Sequence, residues 1–274
     1  MFNQLEVLSN EQSEKLYTIR RYIKSLDSVC IAYSGGVDST LVTSLAFEQL
    51  GSKAIAITGI SPALANTLRE EARSQAKWIG VKHLEIKTSE LDQLNYTKNP
   101  KDRCFACKKE LHKHTTYLSK KLNYKIVLDG VNMDDLKDYR PGIEASKKAG
   151  VLSPLAKFKF SKQDIRDISR ALGFPWWDKP AQPCLSSRFP YGHEITSERL
   201  KMVEKAEEYL KEGGLSEVRV RCQGLTARIE IPQDELKNFF QKYNLNDLVK
   251  YFSDLGFNCT SLDLEGLISG KLNR

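Results

Sequence analysis

The chain has 274 residues, a formal net charge of +7 and 41% hydrophobic residues. A chain of this length buries one substantial core and a second, smaller one, so one or two domains are expected. The sequence contains no run of 18 apolar residues and opens with a polar segment, which excludes a membrane span and a secretory signal and predicts a cytoplasmic protein.

Six cysteines are too few to form a disulfide scaffold in a chain of this length. Any cysteine with a special role is therefore expected to be a metal ligand or a nucleophile. We expect Cys30, Cys222 and Cys259 to be buried packing residues, which leaves Cys104, Cys107 and Cys184 as the functional candidates.

The first informative element is an apolar run over residues 29–33, followed at once by SGGVDS and then by apolar residues at helical spacing. This order predicts a strand, a glycine turn and a helix. The two glycines let the backbone approach a ligand, and the helix start presents N–H groups, so the pattern predicts a phosphate site. The Gly-Lys-Ser/Thr of a P-loop is missing, and an ordinary turn between strand and helix remains an alternative.

Further strands are predicted at residues 54–57, 82–86 and 126–128, with a helix at 68–79. Strands that alternate with helices indicate an α/β fold with a doubly wound parallel sheet, which binds ligands beyond the carboxyl ends of its strands. SGGVDS and the later DGVNMDD both follow such ends. The two motifs are therefore expected to belong to one nucleotide site.

The segment DGVNMDDLKDYRPG is rich in carboxylates. Such a cluster beside a pyrophosphate suits Mg²⁺, which takes one or two carboxylates and keeps several waters. A solvated acidic loop that caps a helix is the alternative. The polar residues of the segment are Asp129, Asn132, Asp134, Asp135, Asp138 and Arg140.

Cys104 and Cys107 form a C-x-x-C pair in KDRCFACKK, with no second pair nearby. This spacing is compatible with zinc, an iron–sulfur cluster or a thioredoxin-like redox pair. A closed zinc site needs four ligands, and the nearest candidates, His112 and His114, are predicted to lie on different faces of one helix.

Cys184 lies in WDKPAQPCLSSRFPYG, where three prolines exclude a regular helix. We expect a fixed, extended loop that presents Cys184. The nearby Arg188 would favour the thiolate form, although a buried structural cysteine is an alternative.

Beyond residue 190 the pattern changes to a helix at 196–210, a hairpin formed by 218–222 and 226–231, a helix at 233–248 and a strand at 259–264. We therefore predict a main domain over residues 1–190 and a smaller α+β domain over 191–274. Arg219, Arg221 and Arg228 lie on the hairpin and suit a phosphate, with a solvated sheet edge as the alternative.

SGGVDS resembles the PP-loop of the ATP pyrophosphatases, which cut ATP between its α and β phosphates. The resemblance implies that the nucleotide is held by Ser34, Gly35, Gly36, Asp38 and Ser39, with Asp129 and Asn132 beside it. Together with DGVNMDDLKDYRPG, PCLSSRFPYG and RVRCQGLTARIEIP, the motif makes nearly the whole chain resemble the LarE-type ATP-dependent sulfur transferases.

The resemblance implies that the substrate is a pyridinium biscarboxylic acid mononucleotide, in a pathway to a nickel-pincer cofactor. Its carboxylates are adenylated by ATP with Mg²⁺ and then converted to thiocarboxylates. The residues implied in catalysis are Cys184, Asp38, Asp134 and Asp135. Those implied at the substrate phosphate are Arg188, Arg219, Arg221 and Arg228.

The family contains two branches that differ in the source of sulfur. In one, the cysteine at the position of Cys184 gives up its own sulfur and becomes dehydroalanine. In the other, three cysteines hold a 4Fe-4S cluster that carries a sulfide on its open iron. Cys104, Cys107 and Cys184 together favour the second branch.

Two other functions are compatible with parts of this sequence. A PP-loop tRNA thiolase also combines such a loop with cysteines, but the chain has no separate RNA-binding module, so nucleic acid is not an expected partner. A non-catalytic nucleotide-binding protein with structural zinc is the second. A membrane partner is not expected. The resemblance implies self-association. The sequence does not identify the sulfide donor.

Overall fold

The computed structural model describes residues 2–137, 141–268 and 270–271. They form two compact units. The first unit comprises residues 1–61, 66–90 and 102–182, and the second comprises residues 62–65, 91–101 and 183–274. The second unit therefore includes two short segments from the N-terminal half of the chain. The domain boundary between residues 190 and 191 stays a prediction.

Strands and helices alternate along the first unit. The strands are β1 (Val29–Ala32), β2 (Ala54–Ile60), β3 (Lys82–Lys87) and β4 (Ile126–Leu128). The helices in this part of the chain are α1 (Asn10–Lys24), α2 (Val37–Leu50), α3 (Asn66–Ile79), α4 (Leu94–Thr97), α5 (Arg103–Lys121), α6 (Pro141–Lys148), α7 (Pro154–Lys157) and α8 (Lys162–Ala171). Of these, α4 belongs to the second unit.

The four strands form one parallel sheet in the order β3-β2-β1-β4. Val29 at the start of β1 pairs with Ala54 of β2 on one side and Ile126 of β4 on the other. The chain adds β2 and β3 on one side of β1 and then places β4 on the opposite side. This reversal creates a switch point between β1 and β4, where open α/β sheets bind their ligands.

Helices cover both faces of this sheet. Val29 and Ile31 of β1 belong to a core that includes buried residues of α1, α2 and α8. Cys30, between them, belongs to a second core with Ile55 and Val127, against which Leu118 of α5 packs. Because successive side chains of a strand point to opposite faces, β1 is buried on both sides, which confirms the predicted doubly wound α/β fold.

Two helices of the first unit begin at a reciprocal cap. Ser9 precedes α1 and accepts a hydrogen bond from the backbone N–H of Gln12, whose side chain bonds back to Ser9. Ser161 and Asp164 form the same arrangement at α8. Each cap satisfies N–H groups that have no partner within the helix, so the sequence sets these two helix starts locally.

The second unit contains a hairpin, a further strand and several helices. They are α9 (Ser197–Glu212), β5 (Arg219–Gln223), β6 (Thr226–Glu230), α10 (Leu236–Lys242), α11 (Leu245–Asp254) and β7 (Cys259–Leu262). β5 and β6 pair antiparallel, and β7 adds to β6 in parallel. This small sheet with its helices confirms the predicted C-terminal α+β class.

Two details of this unit differ from the sequence predictions. The helix predicted over residues 233–248 is broken, because Tyr243 is extended and Asn244 starts α11 by accepting a hydrogen bond from the N–H of Asn246. Cys259 is exposed rather than buried, since it begins the edge strand β7. Cys30 and Cys222 are buried as predicted.

Candidate functional site

The sequence SGGVDS forms the turn between β1 and α2. Gly35 has a φ of +72°, and a Cβ at this position would lie 3.0 Å from the Cβ of Ala72 on α3. Gly36 caps α2 without a side-chain hydrogen bond, so no side chain competes with a ligand for the first N–H groups of the helix. The turn has the backbone of an anion site.

Two serine hydroxyls line this turn. The Oγ atoms of Ser34 and Ser39 are 3.0 Å apart. Ser39 Oγ accepts a hydrogen bond from the backbone N–H of Ser34 at 3.2 Å and donates to the carbonyl of Gly36 at 3.1 Å. These bonds hold the loop in its curled shape without a ligand.

The loop after β4 touches the start of α2 at Gly130. A Cβ at Gly130 would lie 2.7 Å from the backbone nitrogen of Ser39 and 2.8 Å from its Cα. Such distances are too short for any real Cβ, so the backbones approach closely only because residue 130 is glycine. The DGVNMDD loop is thereby held beside the SGGVDS turn.

We expect Gly130→Ala to push the start of α2 away and to lower the free energy of unfolding by about 1–3 kcal/mol. The ATP affinity that the family resemblance implies should fall with it, because the backbone N–H groups of residues 37–39 move. Thermal denaturation and ATP titration measure both effects. Gly36→Ala is the steric control for stability, since its Cβ would meet nothing closer than 3.5 Å. A Gly130→Ala variant with wild-type melting and ATP affinity would contradict this packing argument.

The DGVNMDD loop brings Asn132 to Asp38. Asn132 Nδ2 donates to Asp38 Oδ2 at 3.3 Å, and Asn132 is completely buried. Its backbone N–H donates to Asp135 at 3.3 Å, while its Oδ1 accepts from the N–H of Asp135 at 3.0 Å. The structure thus joins Asp38 of the SGGVDS sequence to Asn132 and Asp135 in one hydrogen-bonded group.

Asp129 is a candidate Mg²⁺ ligand. It is 3% exposed, and its Oδ1 accepts a hydrogen bond from the N–H of Val131 at 3.2 Å. Its Oδ2 is buried and has no hydrogen-bond partner among the described residues. An unsatisfied carboxylate oxygen at this depth is costly, and a hard cation would satisfy it, so the residues fit Mg²⁺.

The carboxylate of Asp134 has different hydrogen-bond partners from those of its neighbours. Its carboxylate accepts hydrogen bonds from the backbone N–H of Lys162 at 2.8 Å and from Lys137 Nζ at 3.2 Å. The Lys162 hydrogen bond, followed by that of Lys137, lowers the pKa of Asp134. Asp134 therefore lies at the α8 end of the loop. Asp138 and Arg140 are outside the described residues.

Cys104 and Cys107 lie three residues apart in the first turns of α5, so they share one side of the helix. Cys104 is exposed and Cys107 half-buried. They belong to the first unit, whereas Cys184 belongs to the second. In the described part of the chain, no group of three or more His, Cys, Asp or Glu side chains is arranged to hold a metal ion.

The histidines next to the C-x-x-C pair have other partners. His112 is completely buried, and its Nε2 lies 2.8 Å from Ser146 Oγ on α6. Burial, and to a lesser extent the charge of Lys108, lowers the pKa of His112 to about 4, so the ring is neutral near pH 7. The half-exposed His114 lies 2.8 Å from Glu110. The two rings lie in different surroundings, as helical spacing predicted.

Cys184 is exposed and immediately precedes a 3₁₀ turn, Leu185–Arg188. The guanidinium of Arg188 folds back beneath this turn and donates to the carbonyls of Pro183 at 2.8 Å and Cys184 at 3.2 Å. The same guanidinium forms two hydrogen bonds, of 2.8 and 2.9 Å, with Glu207 on α9. Arg188 thus fixes the backbone that carries Cys184. Its role at a substrate phosphate remains a prediction.

A buried ion-pair network lies on one face of the small sheet. Arg221 donates to Glu230 at 2.9 Å and to the carbonyl of Ser187 at 2.6 Å. Arg228 bonds to the other oxygen of Glu230 at 3.1 Å and lies 3.3 Å from Asp263. Glu230 is completely buried, so its charge requires these two partners.

Arg219 differs from the other arginines of the site. It is half-buried and pairs across the strands with Glu230, but no described residue accepts a hydrogen bond from its guanidinium. Burial lowers the pKa of Arg219, and the charges of Arg188 and Arg221 lower it further. The carboxylates of Glu230 and Glu207 oppose these two charges. A phosphate would supply hydrogen-bond acceptors to this guanidinium.

The sequence reasoning missed Glu207 and Glu230. Both are almost completely buried, and Glu207 accepts hydrogen bonds from Arg188 and from the backbone N–H of Val220 at 2.9 Å. Glu207 follows Ala206 and precedes Leu210 on the buried side of α9. A carboxylate within an apolar helix face signals a buried partner, and this signal could have identified it.

Comparisons with known proteins find relatives that match most of the chain. It is 53% identical over 260 residues to an uncharacterized protein of Synechocystis, covering 95% of this chain and 97% of that one. It is 34% identical over 264 residues, 94% of both chains, to the pyridinium-3,5-bisthiocarboxylic acid mononucleotide synthase of Lactiplantibacillus plantarum. It is also 22% identical over 211 residues, 71% of this chain and 67% of the other, to a subunit of the glutamine-hydrolyzing GMP synthase of Archaeoglobus fulgidus.

The fold is that of the PP-loop ATP pyrophosphatases, with a doubly wound parallel sheet and a smaller α+β unit. Within that class, the chain belongs to the LarE-type family of the Lactiplantibacillus synthase. A scan against models of known protein families finds no match. Among the described residues, no helix is both long and apolar enough to span a membrane.

Proposed function

We propose that the protein is an ATP-dependent sulfur transferase that converts the carboxylates of a pyridinium biscarboxylic acid mononucleotide to thiocarboxylates. The observation that carries this proposal is the anion-binding turn at Gly35 and Gly36 beside Asp38 and Asp129, in a chain 34% identical to a synthase of the bisthiocarboxylic product. ATP use agrees with this turn and with the similarity to a GMP synthase subunit.

Adenylation is the first half of the proposed reaction. A carboxylate is a poor electrophile, so one of its oxygens attacks the α-phosphorus of ATP and pyrophosphate leaves. The N–H groups at the start of α2 and the hydroxyls of Ser34 and Ser39 would hold the departing pyrophosphate. Asp129 and Asp38 would hold Mg²⁺, which neutralises the phosphate charge. Asn132 would orient Asp38 through its 3.3 Å hydrogen bond.

Arg219 is proposed to bind the phosphate of the substrate mononucleotide. Arg188, Arg221 and Arg228 already contact carboxylates, which leaves the Arg219 guanidinium to supply the direct contact with the phosphate. A phosphate would restore the hydrogen bonds that the Arg219 guanidinium lacks among the described residues. This assigns the substrate phosphate to the second unit.

We expect Arg219→Gln to raise the KM for the mononucleotide roughly 10- to 100-fold, because a hydrogen bond to a charged group is worth about 1.5–3 kcal/mol. The rate at saturating substrate should change little. The matched control is the corresponding nucleoside, which lacks the phosphate and should be used equally by both proteins. An equal loss with both substrates would remove Arg219 from the phosphate site.

Sulfur transfer is the second half of the proposed reaction. A sulfur nucleophile attacks the acyl carbon, AMP leaves with the oxygen it activated, and a thiocarboxylate forms. Cys104, Cys107 and Cys184 supply three thiolates, the donor set for a 4Fe-4S cluster with one iron left for a sulfide. Cys104 and Cys184 are exposed, which agrees with this donor set. A four-ligand zinc site agrees less well, because the two nearby histidines lie in different surroundings.

The alternative is that Cys184 is itself the nucleophile. Its thiolate would displace AMP, and loss of the Cα proton would then break the Cβ–S bond. The products would be the thiocarboxylate and dehydroalanine at position 184. The exposure of Cys184 on a fixed loop agrees with this alternative as well, whereas the C-x-x-C pair has a role only in the cluster donor.

The test is to reconstitute the protein anaerobically with iron and sulfide and to measure AMP, thiocarboxylate and iron in the wild type and in Cys104→Ala. For a cluster donor, we expect about four irons per chain in the wild type and loss of both iron and thiocarboxylate in the variant. Cys259→Ala controls for the loss of an exposed cysteine.

Other outcomes have equally clear meanings. Full thiocarboxylate formation by Cys104→Ala, with Cys184 losing the mass of H₂S, would replace the cluster by the consumed cysteine. Absence of ATP-dependent AMP formation in the presence of the mononucleotide would overturn the proposed function itself.

A further inference from the structure

Asn99 has an unusual backbone for a buried residue. Its φ is +52°, a left-handed value shared among the described non-glycine residues by Asn123 and Lys159. Those two are exposed, whereas Asn99 is completely buried. Non-glycine residues adopt this conformation at a cost, which surrounding interactions must offset.

Three hydrogen bonds of Asn99 reach the segment that follows Cys184. Its Nδ2 donates to the carbonyl of Pro190 at 2.7 Å and to that of Phe189 at 3.2 Å. Its own carbonyl accepts a hydrogen bond from the N–H of Gly192 at 2.9 Å. The side chain and the peptide group of one residue therefore hold the backbone between residues 189 and 192.

Two neighbours of Asn99 also form hydrogen bonds with the segment around Cys184 and with residue 195. Tyr96 is buried, and its hydroxyl lies 2.6 Å from Ser186 Oγ, two residues after Cys184. The carbonyl of Thr97 accepts from the N–H of Ile195 at 2.8 Å. Residues 96–99 thus contact the loop that carries Cys184 at several points. Arg188, which belongs to this loop, also donates hydrogen bonds to its carbonyls.

We infer that Asn99 is a positioning residue for Cys184. This rests on the proposed function, in which either the Cys184 thiolate or a cluster on it must meet one acyl carbon. Cys184 itself is exposed, so its place depends on the backbone that follows it. In this left-handed conformation both the side chain and the carbonyl of Asn99 contact the same segment.

Asn99→Gly is the most informative variant, because glycine tolerates the left-handed backbone while the side-chain carboxamide is removed. Hydrogen exchange should become about tenfold faster at the N–H groups of Phe189 and Gly192, given the usual value of a buried hydrogen bond. Sulfur transfer should fall about tenfold, while ATP–pyrophosphate exchange stays near the wild-type rate.

Two controls separate positioning from general stability. Asn123→Gly changes the exposed left-handed asparagine and should affect neither rate. Tyr243→Phe removes a buried hydrogen bond to Leu210 elsewhere in the second unit, so it should lower the melting temperature without changing the ratio of the two rates. Loosening by Asn99→Gly is thereby distinguished from weakening of the whole unit.

Wild-type hydrogen exchange in Asn99→Gly would overturn the inference, because the side chain would then not hold the loop. A faster-exchanging loop with an unchanged ratio of rates would overturn it as well, as would an equal fall of the ratio in Tyr243→Phe. If the wild type forms no thiocarboxylate, the proposed function fails, and the hydrogen-exchange result alone decides whether Asn99 fixes the loop.

Discussion

Replacement of Cys184 by alanine is expected to abolish thiocarboxylate formation and to leave ATP–pyrophosphate exchange intact. Both possible donors require this cysteine, either as the sulfur source or as a ligand. The turn of residues 34–39, proposed to hold the phosphates of ATP, belongs to the other unit, so the substitution removes none of its residues. Quantifying thiocarboxylate by mass spectrometry and exchange with labelled pyrophosphate measures the two halves separately.

Cys259→Ala is the matched control for this variant, because Cys259 is an exposed cysteine of the same unit. It should retain both activities. A Cys184→Ala protein that still forms thiocarboxylate would show that the sulfur comes from neither the Cys184 side chain nor a cluster on it.

Replacement of Asp38 by asparagine is expected to remove the first half of the reaction. The substitution keeps the size of the side chain and its contact with Asn132, but it removes the negative charge proposed to hold Mg²⁺. Loss of one electrostatic contact to the reacting phosphates is worth on the order of a hundredfold or more in rate. ATP–pyrophosphate exchange measures this loss directly.

Asp27→Asn is the control for the Asp38 variant. Asp27 forms an exposed ion pair with Lys125, outside both nucleotide motifs, and such pairs contribute little to stability. Near wild-type exchange in Asp38→Asn would contradict the proposed role of this carboxylate. Mg²⁺ titration would then show whether affinity for the ion had changed.

Local patterns were enough to predict the architecture of the first unit. The apolar run before SGGVDS and the helical spacing after it identify β1 and α2, and both faces of β1 are buried. The helix over residues 233–248 was predicted wrongly, because its apolar spacing continues through Tyr243. The break depends on the extended Tyr243 and the Asn244 cap, which competes with continuation of the helix.

The candidate site was only partly readable, because several of its features depend on residues distant in the sequence. Asp134 and Asp135 are adjacent and chemically alike. Only the structure shows that the first bonds to the N–H of Lys162 and the second to Asn132. Asn99 bonds to residues about 90 positions later in the chain, and no periodic pattern in the sequence indicates this contact.

The central claim is tested most directly by incubating the anaerobically reconstituted protein with ATP, Mg²⁺ and the pyridinium biscarboxylic acid mononucleotide, and analysing the products by mass spectrometry. We predict AMP, pyrophosphate and a mononucleotide in which sulfur has replaced a carboxylate oxygen, all dependent on ATP. AMP with an unchanged mononucleotide, or a thiolated product that forms without ATP, would contradict the proposed function.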